Sequence, residues 1–132
     1  MNNIAKTPAD NDKFAKHSGI RLLSAGNGSA RAEVEIKEYH LNGLDIAHGG
    51  IIFTLADMAF AAASNSHGVD AVAVNVSISF FKAVQNGRLF AEATEISRNR
   101  KLATYRIDVT DEAGELIASM QGTAYRKTPQ KQ

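Results

Sequence analysis

Eighteen consecutive residues, GGIIFTLADMAFAAASNS (Gly49–Ser66), hold a single charged side chain, Asp57. A segment this apolar, with alanine spread around every side, reads as one long helix over 49–66. Such a helix must be covered on more than one face. The chain therefore needs a layer able to wrap it, and the rest of the sequence has to supply that layer. A run of this length is marginal for crossing a bilayer. Its alanine content and central carboxylate favour a helix buried in a soluble domain.

The flanking segments read mainly as strands. Ile20–Ala25 and Ser29–Ile36 are joined through Gly-Asn-Gly, a hairpin signal. KEYHLNGLDIA is irregular and polar, hence a loop. After His67-Gly68 the period becomes two: Val72, Val74, Val76, Ile78 and Phe80 alternate with Ala73, Asn75, Ser77 and Ser79. That pattern predicts a half-buried strand with one polar face. QNGR is a turn, Arg88–Arg98 a less regular strand, and RNRK a second turn. Ala103, Tyr105, Ile107 and Val109 alternate, DEAGE turns the chain, and Leu116–Arg126 closes the series. At the N-terminus a short helix is expected over about 8–18, capped by Thr7, opened by Pro8, with Asp10 in its first turn and Gly19 as its stop. Residues 127–132 form a polar tail. The expectation is one α+β domain over 1–132, its antiparallel sheet strongly curved around the long central helix.

Composition narrows the chemistry. The chain has no cysteine, which excludes disulfides, thiolate metal sites and cysteine nucleophiles. Four scattered histidines show no ligand spacing, so no metal is indicated. A net charge of +1 gives no reason to expect nucleic acid or an anionic membrane as partner. MNNIAKTPADNDK has no apolar stretch of the kind a secretory signal needs, and a cytoplasmic location is expected.

Four places could carry chemistry. Asp57 is costly inside a helix unless it finds donors, holds a proton more tightly or borders a cleft. It either reaches solvent or a backbone group through a gap, or serves as nucleophile or general base in a dry pocket. His48-Gly49-Gly50 opens the helix, where unpartnered N–H groups point outward and suit an anion or a developing oxyanion. The glycines could equally do no more than make a tight turn, and His48 could be a structural hydrogen-bonder. Asn42 is either a turn asparagine, one of three Asn-Gly pairs, or an amide that orients a carbonyl or a water. Arg98, Arg100 and Lys101 are either a solvated hairpin tip or a grip for phosphates, with Lys82 and Arg88 flanking the neighbouring turn. Phe53, Met58, Phe60 and Phe81 could line a pocket or belong to the core.

The segment LNGLDIAHGGIIFTLADMAFAAASNSHG (Leu41–Gly68) resembles the central-helix region of hotdog-fold thioesterases, most closely the PaaI type of phenylacetic acid degradation. VSISFFKAVQNGRL is similar to the strand and turn that follow in that family. The resemblance runs from about Ile20 to Arg126. It implies a hotdog fold and hydrolysis of acyl-CoA thioesters, with aromatic acyl groups such as (hydroxy)phenylacetyl favoured. No cofactor is implied, since coenzyme A is part of the substrate. By the resemblance Asp57 is the catalytic acid and Gly49 supplies the N–H for the thioester carbonyl. His48 and Asn42 border the reacting group. Gly50, Arg98, Arg100, Lys101 and Lys82 are the residues expected to bind substrate or coenzyme A. The resemblance also implies active sites between subunits and a homotetramer built as a dimer of dimers. Some relatives carry an assisting serine on the strand after the helix, where this chain has Ala73. Two other readings share the fold: an acyl-CoA sensor without catalysis, and an enoyl-thioester hydratase, which would need an acid–base pair such as Asp57 and His48.

Overall fold

A computed structural model describes residues 8–127. The N-terminal segment is shorter in helix than its sequence suggests. Pro8–Asn11 form a 3-10 turn, and α1 spans only Lys13–His17. Asp12 is the cap: its carboxylate accepts the Ala15 N–H at 2.9 Å. The capping role expected of Thr7 lies outside the described residues. Gly19 does end the helix, at φ +83°, with Gly19 N–H on the Lys16 carbonyl and Ile20 N–H on the Ala15 carbonyl. That pair of bonds satisfies the last carbonyls of the helix.

Strands β1 (Arg21–Gly26) and β2 (Ser29–Glu35) pair across Asn27-Gly28, both with positive φ. This is the two-residue turn that matches strand twist. Next comes the long helix α2 (Gly49–Ser64), then β3 (Ala71–Phe80), β4 (Arg88–Arg98), β5 (Leu102–Asp111) and β6 (Leu116–Arg126). The six strands form one antiparallel sheet in the order β1-β2-β4-β5-β6-β3. α2 stops two residues short of its expected end. The Asn65 side chain donates to the Ala61 carbonyl and both accepts from and donates to the Ala71 backbone, tying helix end to strand start.

α2 touches all six strands. A flat six-stranded sheet is about 24 Å across, while a helix with its side chains is about 10–12 Å wide. The sheet must therefore curl around α2, and its inner face is built to permit that. Ala32, Ala91, Ala93, Ala103, Ala118 and Ala124 point at the helix and are buried. Opposite them Leu55, Ala56, Ala59, Ala62 and Ala63 are fully buried on α2. At Gly122 a side chain is impossible: a Cβ would meet the Phe60 ring at 2.8 Å. The Phe60 ring in turn lies 5.8 Å from that of Tyr105. Each of these buried aromatics contributes about 1.5–3 kcal/mol by leaving water. Phe60 and Met58 are thus core residues, whereas Phe81 is exposed.

β3 departs from simple alternation. Ala73 pairs with Ala124 and Asn75 with Thr123, so Val74 is bulged out. Val76, Ile78 and Phe80 share the inner register with Gly122, Met120 and Ala118, but Val72 falls on the outer face beside Tyr125. As an edge strand β3 has one side without a partner in the sheet, and Val72, Val74 and Phe80 are exposed on it.

Candidate active site

The loop before α2 is set by side chains. Asn42 Oδ1 accepts the N–H groups of Leu44 (2.9 Å) and Ile46 (3.4 Å), closing a turn in which Asp45 takes φ +59°. Among the described residues the Asn42 amide nitrogen has no partner. Buried His40 accepts the Lys37 N–H at Nδ1 and bonds the Ser18 carbonyl through Nε2, joining this loop to α1. Its carbonyl accepts the His48 N–H at 2.8 Å.

His48 is the N-cap of α2. Its Nδ1 accepts the Gly50 N–H at 2.8 Å, which leaves the ring N–H on Nε2. That bond consumes the donor at Gly50. Among the described residues the Gly49 N–H has no acceptor, although it heads a sixteen-residue helix. One unpartnered amide at the positive end of a helix dipole is the arrangement that stabilises an oxyanion. The Phe80 ring covers it from the sheet side, 3.3 Å from where a Cβ at Gly49 would stand.

The sheet leaves one stripe of α2 uncovered. Gly50, Phe53, Thr54, Asp57 and Ala61 recur at helical spacing and are the residues of α2 beyond Gly49 that are not buried. Asp57 lies at the middle of this stripe and accepts no hydrogen bond among the described residues. Partial burial, with a smaller contribution from the charge of Asp12, holds its carboxyl above the ordinary value of 3.8. Asp12 carries no such signal in the sequence, where it falls inside the helix expected over about 8–18. Asp57 and Gly49 are eight residues apart, or about 12 Å along the axis.

The expected cations separate into two groups. Lys82 bonds Glu115 at 2.5 Å, which raises its pKa, and lines a cleft of about 520 Å³ with Ile46, Val84 and Asn86 beside the α2 N-terminus. Arg88, in the same cleft, is paired with buried Glu33 at 3.3 Å. Arg98 lies at the opposite end of α2, some 24 Å away by helix length, where its guanidinium contacts His67 and Glu95. Arg100 and Lys101 stay exposed on a turn held by Asn99.

Glu95 itself escaped sequence reading. It continues the inward series Leu89, Ala91, Ala93, and its Oε1 accepts Tyr105 OH and bonds His67 Nε2, each at 2.8 Å. Desolvation pushes its carboxyl up, but the His67 and Tyr105 hydrogen bonds and the charges of His67 and Arg98 prevail, holding it below the ordinary value. The alternation pointing inward was the available signal. Among the described residues no cluster of acidic or histidine side chains could hold a metal ion, and no helix is long and apolar enough to cross a membrane.

Residues 44–118 match the sequence model of the thioesterase superfamily. The chain belongs to that superfamily. It is a thioester hydrolase with the hotdog fold. A protein of Archaeoglobus fulgidus named as an esterase is 48% identical over 88% of this chain and 76% of its own length. The acyl-coenzyme A thioesterase PaaI of Escherichia coli is 34% identical, over 89% and 84%. The crystal structure of E. coli PaaI superposes with a TM-score of 0.87 over 90% of this chain and 87% of that one, at 33% identity. An asparagine-to-aspartate variant of the phenylacetic acid degradation protein PaaI from Thermus thermophilus gives 0.84 over 88% and 100%, at 38%. The superfamily match spans the whole stripe of α2 and the Gly49 N–H.

Proposed function

We propose that the protein hydrolyses acyl-CoA thioesters, with (hydroxy)phenylacetyl and related single-ring acyl groups as its preferred substrates. The observation that carries the reading is the unpartnered Gly49 N–H at the head of α2, a helix whose exposed stripe bears an unpartnered carboxylate, Asp57. A thioester carbonyl is weakly stabilised by resonance and its thiolate leaves readily. It needs a charge stabiliser and a nucleophile more than a strong acid. The Gly49 N–H receives the developing oxyanion. Asp57, poorly hydrated and without donors, either attacks the carbonyl carbon or takes the proton of an attacking water. In both routes the C–S bond breaks and the thiolate departs; after direct attack, water then hydrolyses the acyl–Asp57 anhydride to the free acid and restores the carboxylate. His48 Nε2–H and the Asn42 amide border the reacting group as further donors.

About 12 Å of helix between the two groups is too far for one carbonyl to meet both. A second copy whose α2 runs antiparallel along the exposed stripe brings its Asp57 to this Gly49. The open edge and exposed valines of β3 favour such a pairing, because a second β3 would satisfy the free backbone groups. A homodimer is therefore the working unit, with a dimer of dimers as the assembly. The coenzyme A phosphates lie toward Lys82 in the cleft beside the α2 N-terminus. Arg98, Arg100 and Lys101, at the other end of the helix, serve this role only across a subunit boundary. No cofactor is required, and the reaction takes place in the cytoplasm.

Release of free thiol from a panel of acyl-CoA esters tests this. Turnover should peak on phenylacetyl-type esters and vanish in Asp57→Ala. Binding of the esters without thiol release would refute the assignment.

A further inference from the structure

Two concavities border the loop that leads into α2, and they differ in chemistry. One is the cleft of about 520 Å³ that holds Lys82, Arg88, Asp111 and Glu112. The other is a cavity of about 240 Å³ between α1, the Glu38–His40 turn and α2. Phe14, Tyr39, Leu41 and Ile51 line it, and His48 and Gly50 form its inner edge. Its polar lining is largely spent. The His40 ring nitrogens bond Lys37 N–H and the Ser18 carbonyl, and Thr54 Oγ1 donates to the Gly50 carbonyl at 2.6 Å. What remains is an apolar, partly aromatic wall.

Two large aromatics there are mostly exposed in the single protomer. Phe14 is 66% exposed and Tyr39 is 73% exposed, on separate elements, and both border this cavity. Tyr39 stands edge-on to the buried His40 ring at 4.6 Å, so its orientation is fixed from below. Large aromatics held at the rim of a cavity, rather than scattered singly, mark a surface that meets an apolar ligand.

We infer that this cavity is the acyl subsite, and that Phe14 and Tyr39 are its specificity-determining walls. The inference rests on the thioesterase reading above. The substrate has one apolar arm and one polyanionic arm, and they part at the carbonyl. With the carbonyl at Gly49, the polar cleft with Lys82 takes the coenzyme A arm, and the apolar cavity takes the acyl group. Size then sets the class of acyl group. A dry cavity of about 150 Å³ is known to hold one benzene ring. The cavity here has room for one ring with a short linker, or an aliphatic chain of similar bulk, and not for a long fatty chain. The residues flagged in the sequence as pocket lining are not these: Phe60 and Met58 are core, and Phe53 stands on the stripe facing the second copy.

The test is the ratio of kcat/KM for decanoyl-CoA to that for phenylacetyl-CoA, with acetyl-CoA as a control that does not fill the cavity. Phe14→Ala and Tyr39→Ala alter exposed side chains and leave the core intact. Each should raise the ratio by about tenfold or more, the scale of discrimination available to an apolar pocket, while residual acetyl-CoA hydrolysis shows that the variant still folds. Hydrolysis that retains the wild-type ratio in both variants overturns the acyl-subsite inference alone. Absence of hydrolysis of every ester by the wild-type protein overturns the thioesterase reading and this inference with it.

Discussion

Replacing Gly49 by proline isolates the proposed oxyanion donor with little else disturbed. Proline removes the N–H, and at the first helical position that N–H makes no helix bond. The preceding residue must be extended, and His48 already is, with φ −62° and ψ 138°. The Cβ that proline shares with alanine meets Phe80 Cζ at 3.3 Å. Phe80 is half exposed, so its ring can move by the few tenths of an ångström required. Gly49→Ala carries the same Cβ and keeps the N–H, and is the matched control. Loss of one oxyanion donor costs about 2.7–4 kcal/mol of barrier, or about 10²–10³ in kcat. Thiol release at saturating substrate should therefore place Gly49→Ala within about tenfold of wild type, and Gly49→Pro about 10²–10³ below Gly49→Ala. Thermal stability of the proline variant should match or exceed that of the control, by about 0.4–1 kcal/mol. Equal kcat for the two variants would refute the role given to this amide.

The other predictions concern stability. The folded state holds the Asp57 proton more tightly than the unfolded chain does. The stabilisation from that proton is complete below the ordinary value of 3.8 and disappears as pH rises through the raised value. Asp57→Ala should therefore raise the melting temperature at pH 7, and raise it less at pH 4; an equal gain at both would contradict the burial of this carboxyl. Tyr105→Phe deletes a 2.8 Å hydrogen bond to Glu95. A bond to a charged acceptor contributes about 1.5–3 kcal/mol. For a chain of this length about 2 kcal/mol lowers the melting temperature by about 7 °C, and a fall below about 2 °C would mean that His67 alone satisfies Glu95.

Much of the fold could be read from the sequence because its signals are local. The Gly-Asn-Gly hairpin, the apolar run of α2 and the strand turns each depend on neighbours in the chain. Reading failed where tertiary structure overrode local pattern. In β3 the bulge at Val74 shifted the phase, so Val72 faces outward despite perfect alternation. At the N-terminus Pro8 begins only a 3-10 turn, because Asp12 restarts the chain as a new cap. The chemical groups near Gly49 and Asp57 were legible through motif and burial cost. The grouping of His67 with Glu95 and Arg98 was not, since His67 lies 28 residues before Glu95 and meets it only where strand β4 passes the end of α2. Phe14 and Tyr39 gave no signal either, because an isolated aromatic in a polar segment looks the same whether it borders a cavity or solvent.

The axial distance between Gly49 and Asp57 has a consequence for inheritance of defects. If each site draws one group from each copy, the chain carries two separable functions, and damage to one does not reach the other. A protein with Gly49→Pro and a protein with Asp57→Ala each lack nearly all turnover. Mixed and allowed to exchange subunits, half of the dimers contain one of each, and in every such dimer one of the two sites is intact. The mixture regains about a quarter of wild-type turnover from two nearly inactive parents.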